Sequence, residues 1–239
     1  MYNYLIENKI IAVKDMKETV IDNKKVLIYC GENPRYILIQ PVDSHDAERL
    51  ENELKKIKEY RKKKNFIFAA FNVDSWNRDL SPWCAPAVFG DEAFGDGAAD
   101  TLKYITDSLL PTLKSEYGLP DEIKVVLGGY SLAGLFALWA GYETKVYGIA
   151  AASPSVWFEG FDKYTDSHRL KAEKVYLSVG NKEEKTRNQT MARVGDRLRA
   201  LNREYTRALG ENTAFEINPG NHFVDTDIRT AKAFAWVIK

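Results

Sequence analysis

The sequence predicts an α/β protein built on a central, mostly parallel sheet with helices on both faces, and three observations lead there. Short runs rich in β-branched and aromatic residues recur at 25–29, 36–40, 66–73, 123–127, 146–151, 174–179 and 214–217. Segments with helical spacing of apolar residues separate most of them, and a strand-helix-strand rhythm calls for parallel strands joined by crossover helices. No repeat and no Pro/Gly/Ser-rich linker divides the 239 residues, so positions 1–239 read as one domain.

Taken in order, residues 1–30 carry two more alternating runs, 4–13 and 19–29, which suit an antiparallel edge to the sheet. Leu50, Leu54, Ile57 and Tyr60 then form one apolar stripe, followed by Arg61, Lys62, Lys63 and Lys64. That basic run reads as the solvated C-terminal end of a helix, where the dipole favours cations. Residues 72–97 show no periodicity and exceed ordinary loop length, as functional inserts often do. Leu102, Ile105, Leu109 and Leu113 mark a second helix, and Met191, Val194, Leu198, Leu201 and Tyr205 a later one. Between them, residues 132–139 are apolar nearly all round, which suits a helix packed under the middle of the sheet. A final helix is expected near 226–238.

Composition narrows the function. Lys+Arg and Asp+Glu number 34 each, so no net field favours nucleic acid or an anionic membrane, and neither is expected as a partner. The longest apolar stretch falls well short of the roughly 20 residues that span a bilayer. Glu7, Lys9 and Lys14 interrupt any apolar signal core, and the two cysteines, Cys30 and Cys84, make neither a disulfide framework nor a zinc cluster. A reduced, cytoplasmic protein is the expectation.

The run 123–127 passes through Gly128-Gly129-Tyr130-Ser131-Leu132-Ala133-Gly134 directly into the apolar helix. Strand, tight turn and helix in that order form a nucleophile elbow, in which a serine is thrust above the sheet between small residues two before and two after it. Gly129 and Ala133 hold those places, Ala133 departing from the usual glycine. A serine hydroxyl needs a base, and the base needs an orienting acid. Of the three histidines, His222 sits in a turn-rich loop after the last β run, where parallel sheets place function, whereas His45 and His168 lie in polar surroundings at expected helix ends. The acid falls between serine and histidine in this arrangement, and both Glu183 and Glu184 follow the run 174–179. For the oxyanion, the N–H of Leu132 is one donor. Pro41 has none to offer, which leaves Val42 as the second.

With these residues assembled, the chain resembles the esterase family of α/β-hydrolases that includes esterase D and the enterochelin esterases. The likeness runs from about residue 36 to the C-terminus and rests on GGYSLAG at the elbow, SPSVWF at 153–158, GNKEE, and GNHF around the histidine. It implies an α/β-hydrolase fold and hydrolysis of small-molecule carboxylic esters by a Ser131, His222 and Glu183 triad, without cofactor or metal. The family's acid position falls on Glu183 and its second oxyanion donor on Val42. Here Gln40-Pro41 stands where the family has His-Gly. Trp83, Trp157 and Phe158, with Trp76 and Phe89, are candidates to line an acyl or aryl pocket. An acyltransferase working through the same acyl-enzyme, and a non-catalytic binding module on the same fold, are the alternatives.

Overall fold

The computed structural model describes residues 15–43, 47–62 and 65–239. It opens on a hairpin, β1 (Lys17–Ile21) and β2 (Lys24–Cys30), paired antiparallel. Asp22 and Asn23 between them have φ of 47° and 63°. Two consecutive left-handed residues make the tight turn whose twist suits a hairpin, and Asp and Asn tolerate that conformation. The single strand expected over 19–29 is thus broken by its polar pair. The other early strand, expected at 4–13, lies outside the described residues.

The chain continues through β3 (Tyr36–Val42), α1 (Ala47–Tyr60), β4 (Phe66–Asn72), the short α2 (Trp76–Asp79) and α3 (Ala98–Tyr104). A wide π turn (Ile105–Leu109) joins α3 to α4 (Leu110–Glu116), with Leu110 N–H donating to Ile105 O. Pro111 explains the widening, because a proline ring crowds the carbonyl four residues back. Then follow β5 (Lys124–Tyr130), α5 (Leu132–Glu143), β6 (Gly148–Ala152), α6 (Phe161–Ser167), β7 (Lys174–Gly180), α7 (Val194–Leu209), β8 (Thr213–Asn218) and α8 (Thr226–Val237).

Among the described residues eight strands form one sheet in the order β1-β2-β4-β3-β5-β6-β7-β8. β1 and β2 are its antiparallel edge, and β3 through β8 run parallel. Strands buried on both faces alternate their side chains between two cores. Ile37, Ile39, Leu127 and Ile149 face α5, whose residues Leu132 to Tyr142 are all buried. Leu38, Val126, Ala150 and Tyr176 face the other way, against Leu50, Leu54 and Ile57 of α1 and Phe234 of α8. Tyr60, expected on the α1 stripe, ends that helix exposed.

Chain order reverses at β3, which has β4 on one side and β5 on the other. Crossovers leaving in opposite directions open a crevice at the carboxyl ends of the strands. Ser131, Glu183 and His222, which follow β5, β7 and β8, lie at that edge.

Candidate active site

Ser131 occupies the turn between β5 and α5 with φ 57° and ψ −119°. That is left-handed backbone for a residue with a Cβ, a conformation that costs on the order of 1–3 kcal/mol and persists only when its surroundings enforce it. Here Ser131 N–H donates to Ala152 O at 3.2 Å, while Ser131 O accepts from Ser155 N–H and Leu135 N–H at 3.0 Å each. Crossing of strand and helix also explains the small residues. A Cβ on Gly129 would come within 2.6 Å of Ala133 Cβ, so alanine is accommodated at 133 because 129 has no side chain.

His222 lies in the loop between β8 and α8, its Nε2 3.0 Å from Ser131 Oγ and its Nδ1 2.8 Å from Glu183 Oε2. Glu183 begins a 3₁₀ turn just past β7 and is 7% exposed. Its Oε1 accepts from Gly180 N–H at 2.6 Å, Ser153 Oγ at 2.8 Å and Arg229 Nη1 at 3.0 Å. Gly180 is required there, because a Cβ would meet Gly220 O at 2.5 Å and Glu183 Oε1 at 2.9 Å. Burial pushes the Glu183 carboxyl up, but the hydrogen bond and charge of His222 and the donors Ser153 and Gly180 outweigh it, holding the group below its ordinary value. Glu184 turns away to pair with Arg199 of α7. The structure therefore brings Ser131, His222 and Glu183 together and leaves Glu184 out.

Leu132 is the first residue of α5, so its N–H is among those without an intrahelical acceptor and sits at the positive end of the helix dipole. Val42 is oriented differently from expectation. β3 continues past Gln40 through Pro41 to pair Val42 with Asn72, and Val42 O accepts from Val73 N–H at 3.2 Å. In an extended residue N–H and C=O point the same way, so the Val42 N–H faces β4 rather than Ser131. Pro41 is tolerated in the strand because pairing with β5 ends at Ile39, leaving no ladder partner on the side its nitrogen faces.

A cleft of about 220 Å³ opens beside Ser131 and His222. Leu50, Trp76 and Phe223 supply its apolar lining, with Gln40, Arg49 and Asp227 among the polar groups. Trp76 comes from the aperiodic segment 72–97, which is folded rather than loose. Asp79 Oδ2 accepts from Asp74 N–H and Ser75 N–H, and Thr101 Oγ donates to Asp79 O. Trp83, Trp157 and Phe158 are not among the cleft-lining residues. Trp157 and Phe158 are buried and pack against Phe94, Trp83 packs against Phe158, and Trp83 Nε1 donates to Glu159 O. Phe89 is exposed.

Several contributors were missed in the sequence. Arg229 of α8 is 1% exposed; besides Glu183, it donates from Nη1 to Tyr130 OH at 2.9 Å and from Nη2 to Pro219 O at 2.7 Å. Tyr130 OH in turn donates to His222 O at 2.9 Å. Ser155 Oγ lies 3.2 Å from Ser131 Oγ. An arginine set among Ile228, Ala231 and Phe234 was the available signal for the first, the position next to Ser131 for Tyr130, and the two serines of SPSVWF for Ser155. Among the described residues no group of three or more His, Cys, Asp or Glu is placed to hold a metal ion, and no helix is long and apolar enough to cross a membrane.

The profile of the Esterase family, described as "Putative esterase", matches residues 72–223, from the end of β4 to just past His222. Comparison with curated proteins finds no match. Similar solved structures include an IroE-like serine hydrolase from Shewanella oneidensis, 14% identical with a TM-score of 0.74 over 92% of this chain and 79% of that one. Another is the siderophore hydrolase EstA from Aspergillus nidulans, 16% identical with a TM-score of 0.70 over 100% and 99%. The enterobactin esterase FES from Shigella flexneri is 16% identical, with a TM-score of 0.63 over 93% of this chain and 58% of its own. Identities this low speak for the fold, and the profile match, which covers well over half the chain, speaks for the family. The chain is a hydrolase of the α/β-hydrolase fold and belongs to the Esterase family.

Proposed function

We propose that the chain is a serine carboxylesterase that cleaves small-molecule esters through an acyl-enzyme on Ser131. The observation that carries this reading is the unbroken relay from Ser131 Oγ through His222 to Glu183, at 3.0 and 2.8 Å. His222 Nε2 takes the serine proton as Oγ attacks the ester carbonyl. Glu183 holds the imidazole in the tautomer with hydrogen on Nδ1 and supports the imidazolium that forms. Leu132 N–H faces the developing oxyanion at the head of α5. The imidazolium then protonates the departing alcohol, and water activated by the same histidine releases the acid.

Two of the similar structures are named as a siderophore hydrolase and an enterobactin esterase, which makes siderophore esters the first substrate class to try. The mixed lining of the cleft, aromatic at Trp76 and Phe223 and charged at Arg49 and Asp227, suits an ester with both apolar and polar parts. Both cysteines are free and exposed, which suits a reducing compartment such as the cytoplasm.

The test is a panel of esters varied separately in acyl and alcohol part, with siderophore esters included and Ser131→Ala as blank. Hydrolysis confined to chains with Ser131 supports the reading; equal rates in the blank would end it. Adding alcohols or thiols to the same reactions separates an esterase from an acyltransferase by where the acyl group goes.

A further inference from the structure

We propose that Arg229 is the positioning residue of the relay: its guanidinium fixes Glu183 with Oε2 turned to His222 and pins the His222 loop at the matching height. The inference rests on the reading of Ser131, His222 and Glu183 as the catalytic relay.

The two oxygens of the Glu183 carboxylate have different partners. Oε1 is occupied by three donors, Gly180 N–H, Ser153 Oγ and Arg229 Nη1. Oε2 is thereby left for His222 Nδ1, and rotation of the carboxylate would break all three bonds at once. The loop is held by the same side chain. Arg229 Nη2 donates to Pro219 O, and Nη1 donates to Tyr130 OH, which passes a hydrogen bond on to His222 O. Pro219 and His222 enclose Gly220 and Asn221, and the φ of 98° at Gly220 makes it the residue most able to swing. One guanidinium therefore braces both ends of the segment that carries the base. The groups facing Glu183 include the Arg229 guanidinium and the His222 imidazole from the α8 side and the phenol of Tyr130 from the end of β5. Burial pushes Tyr130 up to about 12, so it keeps the proton that it donates.

A purely structural role accounts poorly for this side chain. Buried ion pairs are weak contributors to stability, since desolvation offsets their attraction. Arg229 also leaves its buried Nε without a partner. Its contacts converge instead on the acid and on the loop of the base.

The experiment measures kcat and KM on p-nitrophenyl acetate for wild type, Arg229→Met, Arg229→Lys, Glu183→Gln and the Arg229→Met/Glu183→Gln pair, each checked by thermal melting. Misplacing the relay by a fraction of an ångström to an ångström predicts that Arg229→Met loses about 10²-fold in kcat with KM little changed. Arg229→Lys, which keeps the charge but reaches fewer of the acceptors, recovers part of the loss. In the Glu183→Gln background Arg229→Met should cost clearly less than it does alone, about tenfold at most, because its hold on Glu183 is already lost and only the bracing of the His222 loop remains. A folded Arg229→Met with near-normal kcat overturns the proposal, as does the same large loss repeated in the Glu183→Gln background or a change confined to KM. Should Arg229→Met fail to fold, Arg229→Lys and Tyr130→Phe decide: a fall in kcat at steady KM in both supports the role, and normal kcat in both refutes it. Full activity in Glu183→Gln would instead strike at the relay itself.

Discussion

His222 Nδ1 stands 2.8 Å from Glu183 Oε2, and the loops carrying these side chains are also joined to each other through their backbones. Asn181 N–H donates to Asn218 O at 2.8 Å and Lys182 N–H to Gly220 O at 3.1 Å, while Gly220 N–H donates back to Asn181 Oδ1 at 3.0 Å. The acid and the base are thus held at their separation before any substrate arrives, which is the condition for a low reorganisation cost.

Glu183 and Glu184 are adjacent in sequence but opposed in setting, and kinetics on the pair should separate them. Removal of the orienting carboxylate costs up to roughly 10⁴-fold in kcat in serine proteases, and Glu183→Gln is expected to approach that. Glu184→Gln gives up only a half-exposed pairing with Arg199, worth at most about 1 kcal/mol of stability, and should turn over normally. Steady-state rates on one ester check both.

The pH dependence follows from the same contacts. Protonated His222 has no lone pair for the Ser131 proton, so kcat/KM should fall on the acid side along a single limb. Glu183 adds no second limb near neutrality, because its carboxyl is held below its ordinary value and stays ionised. A depressed folded pKa contributes stability above the unfolded carboxyl value, about 4.3, and that contribution is lost as pH falls through the lower folded value. Melting temperatures of wild type and Glu183→Gln should therefore converge as the pH is taken below about 4.

Two sets of aromatics should respond in opposite ways. Trp76 and Phe223 line the cleft, so Trp76→Ala and Phe223→Ala should raise KM for bulky esters. Phe158 is 1% exposed and packed against Trp83 and Phe94, so Phe158→Ala should cost about 3–5 kcal/mol of stability with KM unchanged. Melting curves and KM values for the three variants check the division.

The elbow offers a test by substitution at its tightest contact. Gly129→Ala places a methyl group 2.6 Å from Ala133 Cβ, and overpacking of that kind costs about 1–3 kcal/mol. Gly129→Ala combined with Ala133→Gly should recover only part of it, because the φ of 157° at position 129 and the backbone carbonyl carbon of residue 133, 3.1 Å away, still oppose a Cβ, as the denaturant midpoint will show.

What the sequence made legible was local. The placement of Ser131 in a tight strand-to-helix turn could be read because strand, small residues and apolar helix are contiguous there, and that of His222 because its turn-rich loop follows a β run. The partners of Arg229 could not, since it meets Glu183 across 46 residues and Tyr130 across 99, and nothing in α8 announces either. Trp157 and Phe158 misled because an aromatic residue type is the same in a packed core and in a cleft. Val42 misled for a different reason: Pro41 looked like a strand end, but only pairing on both sides would have excluded it. The Asp22-Asn23 turn was visible in residue type and was overrun by the alternation on either side of it.

The most direct test of the account is the mass of the protein shortly after mixing with an activated ester, followed by mapping of the modified peptide. One acyl group per chain is expected, carried on Ser131, transient in wild type and absent in Ser131→Ala. An acyl group on any other residue, or unchanged hydrolysis by Ser131→Ala, would contradict it.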